Sequence, residues 1–188
     1  MSKPPRAEPI PPPEHGFRRM IAIAKVGEGG LVQKITVGPN DLPRIAAYLD
    51  LAAIGTLSAE MTLTRWRARG IRVNGKVKAD VVQTCVVTLD PVPERIEAEF
   101  ERRFLPVESL PKSYAEQQEV LVDLEGEDPP EPVEREIDLG EVLIEELALS
   151  LDPYPRKPGV EFRADEEPDG KPRKSPFAVL AKLKPKQS

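Results

Sequence analysis

Cysteine occurs once in the 188 residues, at Cys85, and histidine once, at His15. One cysteine excludes an internal disulfide and fits a reducing compartment. One cysteine and one histidine also fall short of the roughly four ligands that a structural zinc site takes, so no metal and no cofactor is expected. A histidine alone in a proline-rich stretch has no partner for a Cys–His or Ser–His dyad, and reads as a solvated tail residue. No Gly-x-Ser-x-Gly or His-Glu-x-x-His motif is present. The many carboxylates fall mostly on faces that the pattern turns to water, so an acid/base pair is not expected and the chain does not read as an enzyme. Aromatics make up only 5%, with one tryptophan, Trp66. No apolar run approaches the roughly 20 residues of a membrane helix. The first residues lack an apolar h-region and carry Glu8 and Glu14, which reads as neither secretory signal nor transit peptide. A cytosolic protein is the expectation.

Proline is in excess, with 22 residues. Proline cannot donate to a ladder or sit cheaply inside a helix, so its gaps mark where regular structure can lie. None occurs between Arg44 and Asp90 or between Val133 and Asp152. The division that follows is a disordered Pro-rich tail over 1–16, a single α+β domain over 17–151 with an acidic irregular segment at 106–132, a polar linker over 152–174, and a short helix with a basic tail over 175–188.

Within the domain, residues 17–26 and 31–37 read as paired strands joined by Gly27-Glu28-Gly29-Gly30. No Gly-Lys-Ser/Thr follows, so this is a hairpin turn and not a phosphate loop. Residues 41–51 read as a helix capped by Asp41, with Leu42, Ile45, Ala46 and Leu49 on one face. Residues 57–68, 71–82 and 95–104 read as strands of one antiparallel sheet. In the last, Ile96, Ala98, Phe100 and Phe104 point one way and Glu97, Glu99, Glu101 and Arg103 the other. Residues 138–150 read as a second helix on that sheet, with Asp138 and Glu141 as a capping-box-like start and Leu139, Val142, Leu143 and Leu147 as its buried stripe.

Two turns can join the first two sheet strands, Arg69-Gly70 and Asn74-Gly75. We prefer Arg69-Gly70, because it leaves the alternation from Ile71 to Val81 unbroken. A two-residue turn there pairs Trp66 with Val73. Arg65, Arg67, Arg72, Lys76 and Lys78 then share the opposite, solvent face, with Trp66 turned away from them. Met61 and Leu63 also fall on that basic face, which requires a bulge or a cover.

Net charge is −5, yet Arg65, Arg67, Arg69, Arg72, Lys76 and Lys78 follow one another with no acid between them. Alternate strand residues lie about 6–7 Å apart, close to the repeat of backbone phosphates, so these six are the candidate RNA-binding residues. Charge alone does not separate this from a solvated face paired with the acidic half of the chain. Cys85, with no cation nearby, reads as a buried structural thiol. The terminal Ser175-Pro176-Phe177-Ala178-Val179-Leu180-Ala181-Lys182-Leu183-Lys184 reads as a capped amphipathic helix. Pro176, Phe177, Leu180 and Leu183 are its candidate interaction residues.

Three stretches together, Val73 to Cys85, Ile137 to Leu151 and the Pro-Phe-Ala-Val-Leu-x-x-Leu-Lys terminus, resemble the YceD family of bacterial large ribosomal RNA subunit accumulation proteins. The resemblance spans roughly residues 17–184. It implies a ribosome-biogenesis factor whose partner is large-subunit rRNA or a pre-ribosomal particle. The mechanism expected from the charge pattern is phosphate binding by the six cations, with the acidic segment limiting non-specific binding by occupying that face. The alternative is a non-enzymatic adaptor working through the terminal helix and Pro-rich tails. Many family members carry Cys-x-x-Cys where this chain has Cys85-Val86-Val87-Thr88, so no metal role transfers. A hydrogen-bonded Cys85–Thr88 turn is expected in its place.

Overall fold

The computed structural model describes residues 15–67, 69–109 and 130–160. The acidic segment at 110–129, the first 14 residues and the stretch 161–188 lie outside the described residues, and with them the expected terminal helix. The rest is α+β. The first elements in chain order are β1 (Met20–Ala22), β2 (Leu31–Thr36), α1 (Leu42–Tyr48), β3 (Ala53–Trp66) and β4 (Gly70–Thr84). They are followed by β5 (Pro91–Pro106), β6 (Glu131–Val133), β7 (Glu136–Asp138) and α2 (Leu139–Ser150). The main sheet has the order β2-β3-β4-β5-β6, antiparallel except that β6 runs parallel to β5. β1 and β7 form a separate two-stranded ribbon.

The three expected strands do form one antiparallel sheet with the second helix packed on it, and each is longer than its alternation implied. β4 is the spine, paired along nearly its whole length with both β3 and β5. Its inward residues Ile71, Val73, Val77, Ala79 and Val81 are all buried. They meet Leu57, Ala59, Met61 and Leu63 of β3 and Ile96 and Phe104 of β5, and α2 covers them with Leu139, Val142, Leu143, Ile144 and Leu147. Gly75, set inside β4, is covered by the Phe100 ring, whose Cζ would lie 2.3 Å from an added Cβ. No bulge occurs there; the ladder is irregular instead between Ile54 and Thr56.

The β3–β4 register differs from expectation. The turn occupies positions 67–69 and Trp66 pairs with Gly70, so Leu63, not Trp66, faces Val73. An odd shift of three flips every β3 side chain to the opposite face. The apolar set decides it: the expected register left Met61 and Leu63 in water, and the observed one buries both completely. Arg67 absorbs the change by adopting φ 54.

The first strand is also corrected. Residues 17–26 do not pair with 31–37. The Gly27–Gly30 turn closes with its own hydrogen bond, 3.1 Å from Gly30 N–H to Gly27 O, but β1 runs to β7 and β2 runs to β3. Asp138 explains the diversion. Its carboxylate accepts from the Gly140 and Glu141 N–H groups at the start of α2, at 3.0 and 3.4 Å. It also accepts from Arg19 N–H at 2.8 Å and Arg18 Nε at 3.2 Å. Arg19 O in turn accepts from Leu139 N–H. The helix cap thereby clamps the N-terminal segment, and Gly140 leaves it room: a Cβ there would sit 3.0 Å from Phe17 O and Arg19 N.

His15 belongs to the same clamp. It is not a solvated tail residue but is 1% exposed. Its ring accepts from Phe17 N–H and meets Glu141 at 3.2 Å, with Tyr48 edge-on to it. Residues 152–160, expected as polar linker, are docked as well. Asp152 O accepts from Gln83, Pro155 O from Val86 N–H, and Cys85 Sγ from Lys157 N–H.

Asp138→Ala removes a cap and a tie at once, and we expect it to lower stability by about 2 kcal/mol, the upper end for a cap. Asp138→Asn, which retains an acceptor oxygen, costs clearly less. Urea midpoints of both variants check this; equal midpoints for wild type and Asp138→Ala would contradict the clamp.

Candidate nucleic-acid interface

The outward face of the sheet carries alternate residues of β2 to β5, and the observed register sorts its charges. Lys34 lies opposite Glu60, Lys76 opposite Glu60 and Glu99, and Lys78 opposite Glu97. The ion pairs follow: Lys34–Glu60 at 3.0 Å, Lys76–Glu97 at 2.6 Å, Lys76–Glu99 at 3.4 Å and Lys78–Glu97 at 3.2 Å. Three lysines thus meet three glutamates; the lysines, Glu60 and Glu99 line a groove of about 690 Å³ together with Ser58 and Asn74. The Glu97 carboxylate hydrogen-bonds Lys76 and raises its pKa, while Lys76 and then Lys78 lower that of Glu97. Such exposed pairs contribute about 0–1 kcal/mol each to stability. Their effect here is to neutralise the lysine row. The acids that do so, Glu60 on β3 and Glu97 and Glu99 on β5, lie within the sheet.

The hairpin end of the same face is different. Trp66 lies across Gly70, where an added Cβ would be 2.8 Å from indole Cε3. The Arg67 guanidinium sits 4.3 Å over the indole and that of Arg103 at 5.8 Å. Trp66 therefore faces the arginines, contrary to the sequence-based register, and is 9% exposed. Arg72 and Arg103 are direct cross-strand partners. Like charges placed opposite each other destabilise a sheet, and Glu101 lies between them, 3.7 Å from Arg72 Nε and 2.8 Å from Arg103 Nε. Arg69 reaches Glu108 at 3.8 Å. Arg65 and Arg67 make no ion pair among the described residues. On this face four arginines, Arg67, Arg69, Arg72 and Arg103, stand beside two glutamates, Glu101 and Glu108.

The six candidate cations are therefore not one face. Arg67, Arg69 and Arg72 gather at the hairpin tip. Lys76 and Lys78 belong to the neutral row. Arg65, paired with Ile71, points to the other side of the sheet. Arg103 was not among the candidates, although its outward phase on β5 was legible; what the sequence did not carry was its pairing with Arg72. Pro176, Phe177, Leu180 and Leu183 lie outside the described residues.

A second charged cluster lies on the inward side, where Arg102 pairs with Glu131 and Glu145 and approaches Glu146 at 3.7 Å. Burial works against the Arg102 charge, but Glu131 and Glu145 outweigh it and hold the guanidinium more firmly protonated than usual. Burial raises the pKa of Glu146, opposed by Arg102. The cluster joins β5, β6 and α2.

At the far end of the sheet, Cys85 begins the expected turn, closed by Leu89 N–H to Cys85 O at 2.9 Å. The thiol is buried and free. The Thr88 hydroxyl, then the N–H of Lys157 and of Thr88, hydrogen-bond the sulfur; they outweigh burial and lower its pKa to about 6. The Thr88 hydroxyl and backbone donors achieve this without a side-chain cation, which is why the search for a neighbouring charge missed it. Among the described residues no cluster of three or more His, Cys, Asp or Glu is placed to hold a metal ion, and no helix is long and apolar enough to cross a membrane.

With this geometry in place, comparison with known proteins gives one match. The family model described as "Large ribosomal RNA subunit accumulation protein YceD" fits residues 73–184. The chain belongs to the YceD family. No curated protein matches it, and no solved structure does. The YceD match takes in β4 from Val73 onward, β5, the Cys85 turn, α2 and the terminal Pro176–Leu183 stretch. Trp66 and Arg65 to Arg72 precede it.

A thiol of pKa about 6 is mostly thiolate at pH 7.5. Absorbance near 240 nm should titrate near pH 6 in the folded protein and vanish in Cys85→Ser. A transition above pH 8 would show that burial, not the hydrogen bonds, governs the sulfur.

Proposed function

We propose that this protein is a non-enzymatic ribosome-biogenesis factor that promotes accumulation of large-subunit rRNA by binding RNA, or a pre-ribosomal particle, through the hairpin tip of β3 and β4. Family membership supports the process. The observation that carries the surface is Arg67, exposed and without an ion pair among the described residues, beside Arg69 and Arg72 at the hairpin tip and next to a lysine row already matched by Glu97 and Glu99. Uncompensated cations attract a polyanion and release its counterions, whereas paired ones must first give up a partner. The reading places the protein in the cytosol and calls for no cofactor.

Two variant sets test it. Arg67→Glu, Arg69→Glu and Arg72→Glu together reverse the tip; Lys76→Gln and Lys78→Gln together remove the row. All five side chains are at least partly exposed, so each change should alter stability by only about 0.5 kcal/mol. The tip set is expected to abolish association with large-subunit rRNA and lower its abundance in cells. The lysine set should leave both near normal. The single variant Arg72→Gln should reduce the salt slope of binding by about one. Normal rRNA levels with a folded tip variant would remove the tip from the mechanism.

A further inference from the structure

We propose that Trp66 and Arg67 form a stacking site for one unpaired nucleobase of single-stranded RNA, with Arg69 and Arg72 holding the flanking phosphates. This rests on the reading of the tip as an RNA surface and adds which form of RNA it takes.

The argument begins with the kind of cation. A phosphate is satisfied by a point charge such as the lysine ammonium, and the sheet has a row of those, already paired. The tip presents arginines, whose planar guanidinium also offers a flat face to a π system. Arg67 is exposed, has no carboxylate partner among the described residues, and lies 4.3 Å over the indole. Its inner face is taken by Trp66, and among the described residues the side chain is otherwise exposed. A base placed there continues the stack begun by ring and guanidinium.

Three features hold this arrangement. Gly70 leaves the space the indole fills, since a Cβ there would meet Trp66 Cε3 at 2.8 Å. Arg67 keeps a left-handed backbone, φ 54, that a non-glycine residue rarely adopts, and that conformation belongs to the turn from which its side chain reaches back over Trp66. Arg103 approaches the same ring from β5 at 5.8 Å. Around the stack, Arg72 and Arg103 stand directly opposite each other, a like-charge pair that Glu101 bridges. A duplex offers phosphates but keeps its base faces stacked inside, so the planar site favours a loop or a single strand.

Trp66 is the single tryptophan of the chain, so its fluorescence reports on the tip alone. The full-length protein is titrated with a ten-nucleotide oligouridine, with an abasic ribose-phosphate strand of equal length, and with an A-form RNA duplex. Trp66 emission and the anisotropy of labelled RNA are followed together. The expected result is a change in emission with oligouridine and none with the abasic strand, which should bind about tenfold more weakly. Arg67→Gly, which suits the left-handed backbone and so should stay folded, should lose this preference for base-bearing RNA. Equal affinity for the oligouridine and abasic strands, or oligouridine binding with unchanged Trp66 emission, would overturn the stacking site while leaving phosphate binding intact. Failure of all three RNAs to bind would overturn both this site and the reading it rests on.

Discussion

The alignment of Leu63 with Val73 across β3 and β4 is the constraint from which the rest of the molecule follows. Both side chains are fully buried, and the ladder extends the same apolar face through Met61, Ala59 and Leu57. Burial of each such side chain is worth about 1.5–3 kcal/mol, so no alternative register that turns this set to water competes. Because strand side chains alternate, fixing the inward face fixes the outward one. Trp66 comes to the arginine side, and the cations of β4 come opposite the acids of β5.

That outward face then divides by charge without any change in its backbone. Along most of its length each lysine meets a glutamate, and the row offers little net field. At the hairpin end the acids thin out while arginines arrive from the turn, from β4 and from β5. A whole-chain charge of −5 conceals this, since the surplus is local and screening confines its influence to about 8–10 Å at physiological salt. Acids of β3 and β5 neutralise the lysine row by cross-strand pairing; most of the segment at 106–132, to which the sequence reading gave a role on the basic face, lies outside the described residues.

What could be read in advance was whatever depends on local period and capping. The alternation of β5 and the stripe of α2 were legible because each is set by neighbours two to four residues away, and Asp138 announced its helix by position. The hairpin register was not, because it turns on whether the loop has two or three residues, and one odd step inverts a face. Met61 and Leu63 signalled the conflict by falling on the wrong side. The partner of β1 was hidden for another reason: its acceptors lie more than a hundred residues away, at Asp138. His15 was misread through its proline-rich surroundings, when its burial comes from Phe17 and Glu141. The Cys85 thiol was read as inert because only a neighbouring cation was sought; the donors that lower its pKa are the Thr88 hydroxyl and backbone N–H groups, including that of distant Lys157. The tip was half legible: its arginines were picked out one by one, while the meeting of Arg103 with Arg72 exists only once β5 is in register.

The central claim is that RNA meets this protein at the hairpin tip. Ultraviolet crosslinking in cells, followed by mass spectrometry of peptides that retain a nucleotide, tests it most directly. The account predicts adducts on the peptides that carry Trp66 to Arg72 and Arg103. Adducts confined to Lys76 and Lys78, to α2 or to the terminal stretch containing Phe177 would contradict it.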